Sequence, residues 1–272
     1  MVERTDLYLD LIQKTITYSL WEEPGVPIDA HASRCRAPNR WILRTVARLL
    51  GTMGLQLVRR VRYSEEQREK GLIWPMQADT MVGRRRLDNL RMCLEDVLHS
   101  GVKGDLIETG VWRGGASIFM KAVLTAHGDF NRRLFVADSF QGLPAAGPED
   151  SEVLAAWGEQ CKGLDAVPLR NVQDNMRVLG IDEKLLVYHP GWFSDTVPGC
   201  ELGPIALLRL DGDLYDSTRV TMEHLYPKLM LGGFCIIDDW GLSGCRKAVD
   251  DYFSDRAQKI DCPVCWQKSH LS

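Results

Sequence analysis

Asp105-Leu106-Ile107-Glu108-Thr109-Gly110-Val111-Trp112-Arg113-Gly114-Gly115-Ala116 is where the rhythm of the chain changes. Leu106–Glu108 reads as a short buried strand, and the apolar run from about Ala116 to His127 reads as a helix. Between them lies a turn of spacing E-x-G-x-x-x-G. Glycines at such a strand-to-helix turn let a ligand lie against bare backbone. The spacing is not the G-x-G-x-x-G of dinucleotide sites, and it lacks the Gly-Lys-Ser/Thr of a phosphate-binding loop. A carboxylate at the strand end suits a cationic or hydroxyl-bearing ligand better than a pyrophosphate. On the glycines alone, a plain tight turn remains an equal reading.

Outward from this turn, strands and helices alternate. Leu134–Asp138 is the second strand. An irregular stretch covers Gly142 to Leu169, and a helix near Val172–Leu179 leads to a third strand, Leu185–His189. Ile205–Asp211 is the fourth strand, before a helix from about Ser217 to Met230. Phe234–Asp238 is the fifth, before a helix from Cys245 to Phe253. Such alternation predicts an α/β fold with a parallel sheet between helical layers. Residues 1–100 contrast with this. They predict helices over 5–21, over 40–62 around Gly51 and Gly54, and over Arg84–His99, with no convincing strand. The expected organisation is a helical cap over 1–100 and a Rossmann-like body over 101–272.

The strand ends carry the chemistry. Asp138, ending the second strand, is placed to take two ribose hydroxyls. Together with Glu108 it favours S-adenosylmethionine, whose ribose and cationic amino-acid part both need acceptors. Asp211-Gly212-Asp213 ends the fourth strand and Asp238-Asp239 the fifth. Neighbouring strand ends share the ligand crevice of an open α/β sheet. Carboxylates converging there repel one another unless a cation neutralises them, and all-oxygen donors suit Mg²⁺, Mn²⁺ or Ca²⁺ rather than zinc. Helix capping by Asp238-Asp239 is the plainer alternative. Asp-Gly-Asp-Leu-Tyr-Asp starts like an EF-hand loop but lacks the rest of that pattern.

Composition limits the classes. The 272 residues are 45% hydrophobic and 26% charged, a mix that folds as one large domain or one domain with appendages. The charge-free apolar stretch Leu49–Val58 is too short to span a bilayer. The start lacks the basic and apolar runs of an export signal. The chain is therefore expected in the cytoplasm with its eight cysteines reduced. Net charge is −4, but eight arginines and no acid or lysine fall between Arg34 and Arg62, which leaves the rest at −12. That acidic body argues against nucleic acid as a partner.

Several stretches resemble the macrocin O-methyltransferase family, which acts on macrolide and aminocoumarin deoxysugars. They are Asp79-Thr80-Met81-Val82-Gly83 with Arg86-Leu87-Asp88-Asn89-Leu90, then Glu108 to Ala116, then Val136-Ala137-Asp138-Ser139-Phe140-Gln141-Gly142. Pro190-Gly191-Trp192-Phe193, Leu210-Asp211-Gly212-Asp213, and Gly232-Gly233-Phe234 through Ile237-Asp238-Asp239 follow in the same order. Tyr8-Leu9-Asp10-Leu11 is also similar. The resemblance implies a class I S-adenosylmethionine-dependent methyltransferase fold, with a mostly parallel seven-stranded sheet. It implies a donor site at Met81, Glu108, Thr109, Gly110, Gly114, Asp138, Ser139 and Trp192. It implies Mg²⁺ (or Mn²⁺) on Asp211, Asp238 and Asp239, Asp213 as general base, and methylation of one hydroxyl of a vicinal pair on a glycoside. It also implies a homodimer or larger assembly with N-terminal helices over the site.

The arginine-rich stretch 31–62 departs from the family pattern. It reads as a helix packed on the body, as a lid over the acceptor, or as a basic amphipathic helix on anionic lipid. Two rival functions stay open: methylation of a catechol or other phenol, and a non-catalytic membrane-surface or scaffold role. Lesser features have plain readings. Cys262-Pro263-Val264-Cys265 is expected in a terminal sheet strand, and His189 as an ordinary loop histidine. Trp192 and Phe193 either stack near adenine or simply pack. Tyr215 and Trp240 either line a sugar or sit in the core.

Overall fold

A computed structural model describes residues 3–22, 25–28, 40–60, 62–73, 75–151, 166–255 and 265–267. Helices α1 (Arg4–Ile16), α2 (Arg40–Thr52), α3 (Glu65–Lys70) and α4 (Arg84–His99) precede the main sheet. Two short strands among them, β1 (Val26–Pro27) and β2 (Val58–Arg59), pair antiparallel. They correct the expectation of no strand before residue 100. Helix α3 falls outside the expected elements, although Ser64 and Gln67 form a reciprocal capping box at its start.

The body runs β3 (Asp105–Thr109), α5 (Gly115–Ala126), β4 (Leu134–Asp138), α6 (Leu169–Val178), β5 (Leu186–Pro190), α7 (Phe193–Thr196) and β6 (Ile205–Leu210). It continues with α8 (Tyr215–Leu225), β7 (Leu229–Ile237), α9 (Ser243–Ser254) and β8 (Cys265–Gln267). The sheet order is β5-β4-β3-β6-β7-β8. The first five are parallel and β8 runs antiparallel against β7. The described residues thus show six of the seven expected strands, with β8 at the edge where the second cysteine of the Cys262–Cys265 pair was expected; Cys262 lies outside the described residues. Helix α8 stops at Leu225, and Pro227 opens a 3-10 turn over Tyr226–Lys228. Leu229 and Met230, expected as helix, already belong to β7.

Strand residues alternate between two cores. Leu106, Val136, Leu207 and Ile236 face α4, α5 and α6, whereas Ile107, Phe135, Leu208 and Ile237 face α8 and α9. Leu9 and Ile16 of α1 and Leu87, Leu90, Leu94 and Val97 of α4 belong to the first core, so these N-terminal helices are built on the same core as the body. Helix α2 differs. Its side chains Ile42, Leu43, Val46 and Leu49 recur on one arc, which Met53 continues just past the helix end, yet all are exposed, Met53 at 72%. Arg44 and Arg48 lie on the other arc and are exposed too. Among the described residues this apolar arc is not packed on the body. No helix of the described residues is long and apolar enough to cross a membrane.

Candidate active site

Chain order reverses direction in the sheet between β3 and β6, and their C-terminal ends meet there. The Asp211 N–H donates to the Thr109 carbonyl at 2.8 Å, and the Asp238 N–H to the Leu210 carbonyl at 2.8 Å. The turn after β3 fits this junction residue by residue. Gly110 sits at φ +87, and a Cβ there would lie 1.6 Å from the Asp211 carbonyl oxygen. The Gly115 N–H donates to the Asp79 carbonyl at 3.0 Å, where a Cβ would come within 2.6 Å of that oxygen. The second glycine of the pair thus lets the segment Asp79–Gly83 cross the start of α5. Arg113 holds the residues just before this segment through the Met76 and Ala78 carbonyls, each at 2.8 Å, and lies over the Trp112 ring.

Above the junction is a cavity of about 530 Å³, ordinary for a cofactor or small-molecule site. Five of the eight residues named for the donor, Met81, Gly110, Asp138, Ser139 and Trp192, line it together, and Trp112 and Phe193 add aromatic wall. Asp211 and Asp213 line it too. Asp138 shapes the glycine turn: one oxygen accepts from the Val111 N–H at 2.7 Å and the Trp112 N–H at 3.3 Å, the other from the Phe140 N–H at 2.7 Å. Burial pushes its carboxyl above the usual range in spite of those N–H groups.

Three expected donor residues lie elsewhere. Glu108 is 1% exposed and lies beneath the turn. Its Oε1 accepts from Arg209 at 2.6 Å and its Oε2 from the Ser117 hydroxyl. Residue parity explains this: Glu108 and Arg209 are register partners in adjacent strands and point to the same face. Burial pushes the Glu108 carboxyl up to about 7, against the pull of Arg209. Thr109 is equally buried, with its hydroxyl 3.5 Å from the Arg209 carbonyl. Gly114 caps α5 at φ +88 and packs against Val172.

The acids after β6 and β7 do converge. Carboxylate oxygens of Asp211, Asp238 and Asp239 all lie within 4.8 Å of one another. The buried Arg209 guanidinium reaches two of these residues, Asp211 at 2.8 Å and Asp238 at 2.9 Å. Arg86 of α4 pairs with the other Asp238 oxygen. Asp239 accepts the Asp213 N–H at 2.9 Å. Burial first, then Asp213, Asp211 and Asp238, hold the Asp239 carboxyl well above its ordinary value. Among the described residues no arginine or lysine pairs with Asp239. Asp213 has the left-handed backbone, φ +58, that aspartate tolerates better than most side chains.

Arg209 and Arg86 are the site residues that sequence reasoning missed. Arg209 left a signal, because a charged residue inside the apolar strand Ile205–Leu210 must be buried with a partner. Arg86 left only its place in a recognised stretch. His189, expected in a loop, lies inside β5, and Tyr215 is neither at the cavity nor in the core but half-buried against α9. His189 Nε2 lies 3.3 Å from Cys200 Sγ and faces Phe135. The Tyr215 hydroxyl donates to Asp251 at 2.8 Å and does not line the cavity. Trp240 packs against the second core beneath Arg246.

The Macrocin-O-methyltransferase (TylF) family profile matches residues 5–268. The chain is 42% identical, over 98% of its length and 94% of the relative's, to the 8-demethyl-8-(2,3-dimethoxy-alpha-L-rhamnosyl)-tetracenomycin-C 4'-O-methyltransferase of Streptomyces olivaceus. It is 36% identical, over 97% of each chain, to the mycinamicin III 3''-O-methyltransferase of Micromonospora griseorubida. Among solved structures, that of the O-methyltransferase NovP superposes with a TM-score of 0.79 at 36% identity, covering 98% of this chain and all of that one.

Proposed function

This chain belongs to the macrocin O-methyltransferase family, and from that premise we propose that it methylates one hydroxyl of a deoxysugar on a glycosylated small molecule. S-adenosylmethionine is the donor that the family and fold support. The observation that carries the reading is the acid triad Asp211, Asp238 and Asp239 beside a cavity of the right size. The rhamnosyl acceptor named for one relative favours a glycoside over a catechol.

The donor set fits a divalent cation. Its atoms are hard carboxylate oxygens, and the acids around them outnumber the arginines that pair with them. A bound Mg²⁺ or Mn²⁺ there would lower the pKa of an acceptor hydroxyl and fix its orientation. The remaining work falls to side chains. In this reading Asp213 accepts the hydroxyl proton, and Asp138 accepts hydrogen bonds from the donor's ribose; both line the cavity. Met81, Trp112, Trp192 and Phe193 wall the cavity with apolar surface that keeps water from the donor sulfonium. Arg209 and Arg86 hold the carboxylates in register. The acceptor oxygen forms the new bond to the methyl carbon as the carbon–sulfur bond breaks, which leaves a neutral thioether.

Titration with S-adenosylhomocysteine, then Mg²⁺, then chelator tests both halves of the site. Donor product and metal should give separate heats. Asp211→Asn should lose the metal heat and turnover but keep donor-product binding. Asp213→Asn should keep both heats and lose turnover on rhamnosyl glycosides. Turnover in wild type that survives chelation would sink the metal half of the reading. The exposed apolar arc of α2 beside its arginines favours contact of this arm with an anionic lipid surface. Flotation with phosphatidylglycerol vesicles tests that, and sedimentation shows whether a second copy covers the arc instead.

A further inference from the structure

Helix α8 starts without a cap of its own. Leu214 occupies the cap position and offers no side-chain acceptor to the free N–H groups of the first turn. The Tyr215 N–H is met instead from 65 residues away, by Asp150 Oδ1 at 2.8 Å. The other Asp150 oxygen accepts the Gly147 N–H at 2.9 Å. One carboxylate thus ties the loop 142–151 to the start of α8. Helix α9 is built around the same group. A Cβ at Gly244 would lie 2.0 Å from Asp150 Oδ1, so only glycine leaves the carboxylate its place. Glu149 beside it pairs with Lys247 of α9 at 3.5 Å.

Both objects held by this carboxylate belong to the site. On the loop side, Leu143, Pro144 and Ala145 line the cavity, as Asp150 does. On the helix side, Tyr215 follows the turn Gly212-Asp213-Leu214. That turn is tight, with the Leu214 N–H donating to the Gly212 carbonyl at 2.6 Å, and its centre is the left-handed Asp213. Strained backbone of this kind persists only where its surroundings over-determine it. Here Asp239 grips the turn at the Asp213 N–H and Asp150 grips it at the Tyr215 N–H.

We propose that Asp150 is a positioning residue of the methyl transfer, which sets the turn bearing Asp213 against the cavity wall Leu143–Ala145 so that the acceptor meets a preformed base. The proposal rests on the reading of Asp213 as the base. It explains why a loop far in sequence carries a carboxylate at 150, why α8 lacks a local cap, and why α9 carries glycine at its second residue.

Three variants test it: Asp150→Ala, Asp150→Asn and Gly244→Ala. Hydrogen exchange is read in peptides covering 143–151 and 211–217, with the β3–α5 turn as internal control. Affinity for S-adenosylhomocysteine is measured alongside kcat and KM for a rhamnosyl glycoside. Asp150→Ala should speed exchange in both peptides and lower kcat by about tenfold to a hundredfold, with donor-product affinity unchanged. Asp150→Asn keeps an oxygen for Tyr215 and should recover most of kcat. Gly244→Ala displaces the carboxylate without entering the cavity and should behave like Asp150→Ala. Faster exchange with unchanged kcat would make the tie a feature of the fold alone and overturn the proposal. Unchanged exchange with reduced kcat would mean that Asp150 meets the acceptor directly, and would overturn it as well. A wild-type protein that binds donor product but methylates no glycoside would sink the functional reading separately. Exchange would then still decide whether Asp150 fixes the Asp213 turn.

Discussion

Arg209 shows what a single residue does here. Its buried guanidinium meets Glu108, Asp211 and Asp238, three carboxylates from three strand ends. Removing one partner of such a group leaves the others buried and unpaired. Arg209→Met should therefore cost about 3–5 kcal/mol in urea unfolding; a loss below about 1 kcal/mol would show a hydrated, weak network. Glu108 carries a pH signature. Burial raises its carboxyl from 4.5 to about 7 in the folded protein. The folded state then holds a proton that the unfolded state has released, so the stability Glu108 contributes is fully present below 4.5 and is lost as pH rises through about 7. The change is of order 3 kcal/mol across that window. Glu108→Gln should flatten it, as read from thermal midpoints in chelator; a slope unchanged by the variant would assign the effect to other groups.

At the scale of elements, the β3–α5 turn and helix α2 make opposite predictions. Gly110→Ala puts a Cβ into the Asp211 backbone, and the left-handed φ alone costs about 1–2 kcal/mol. Because strand ends rather than side chains must move apart, the variant should lose donor-product binding by calorimetry even where it stays folded. In α2, Leu49→Ser should leave stability within about 0.5 kcal/mol, since Leu49 is 63% exposed. A larger loss would show that the arc is covered in solution. The helical periodicity of α2 was legible in the sequence, but the exposure of its apolar arc among the described residues was not. Amphipathic spacing says that a face is apolar and leaves open what lies against it.

For the whole molecule, ligand linkage is the test. S-adenosylhomocysteine at 100 times its Kd should stabilise the fold by about 2.7 kcal/mol and raise the thermal midpoint by about 5 °C. The same shift in chelator would show that the donor half of the site forms without the metal. No shift at all would mean that the cavity above the Gly110 turn does not take the donor.

The sequence by itself determined the parallel α/β body, the six described strands of its sheet, the glycine turn and the convergence of Asp211, Asp238 and Asp239. These follow from local periodicity and from the rule that adjacent strand ends share a crevice. Only the tertiary structure decided which acids face the cavity. Glu108 and Asp138 both sit at strand ends, yet Glu108 turns inward to Arg209 whereas Asp138 lines the cavity. Strand register and the face each residue takes settle that. The same holds for Arg86 and Asp150, which reach the site across 152 and 65 residues. Spacing along a chain carries no record of such pairs, because folding brings them together through elements that each look ordinary alone.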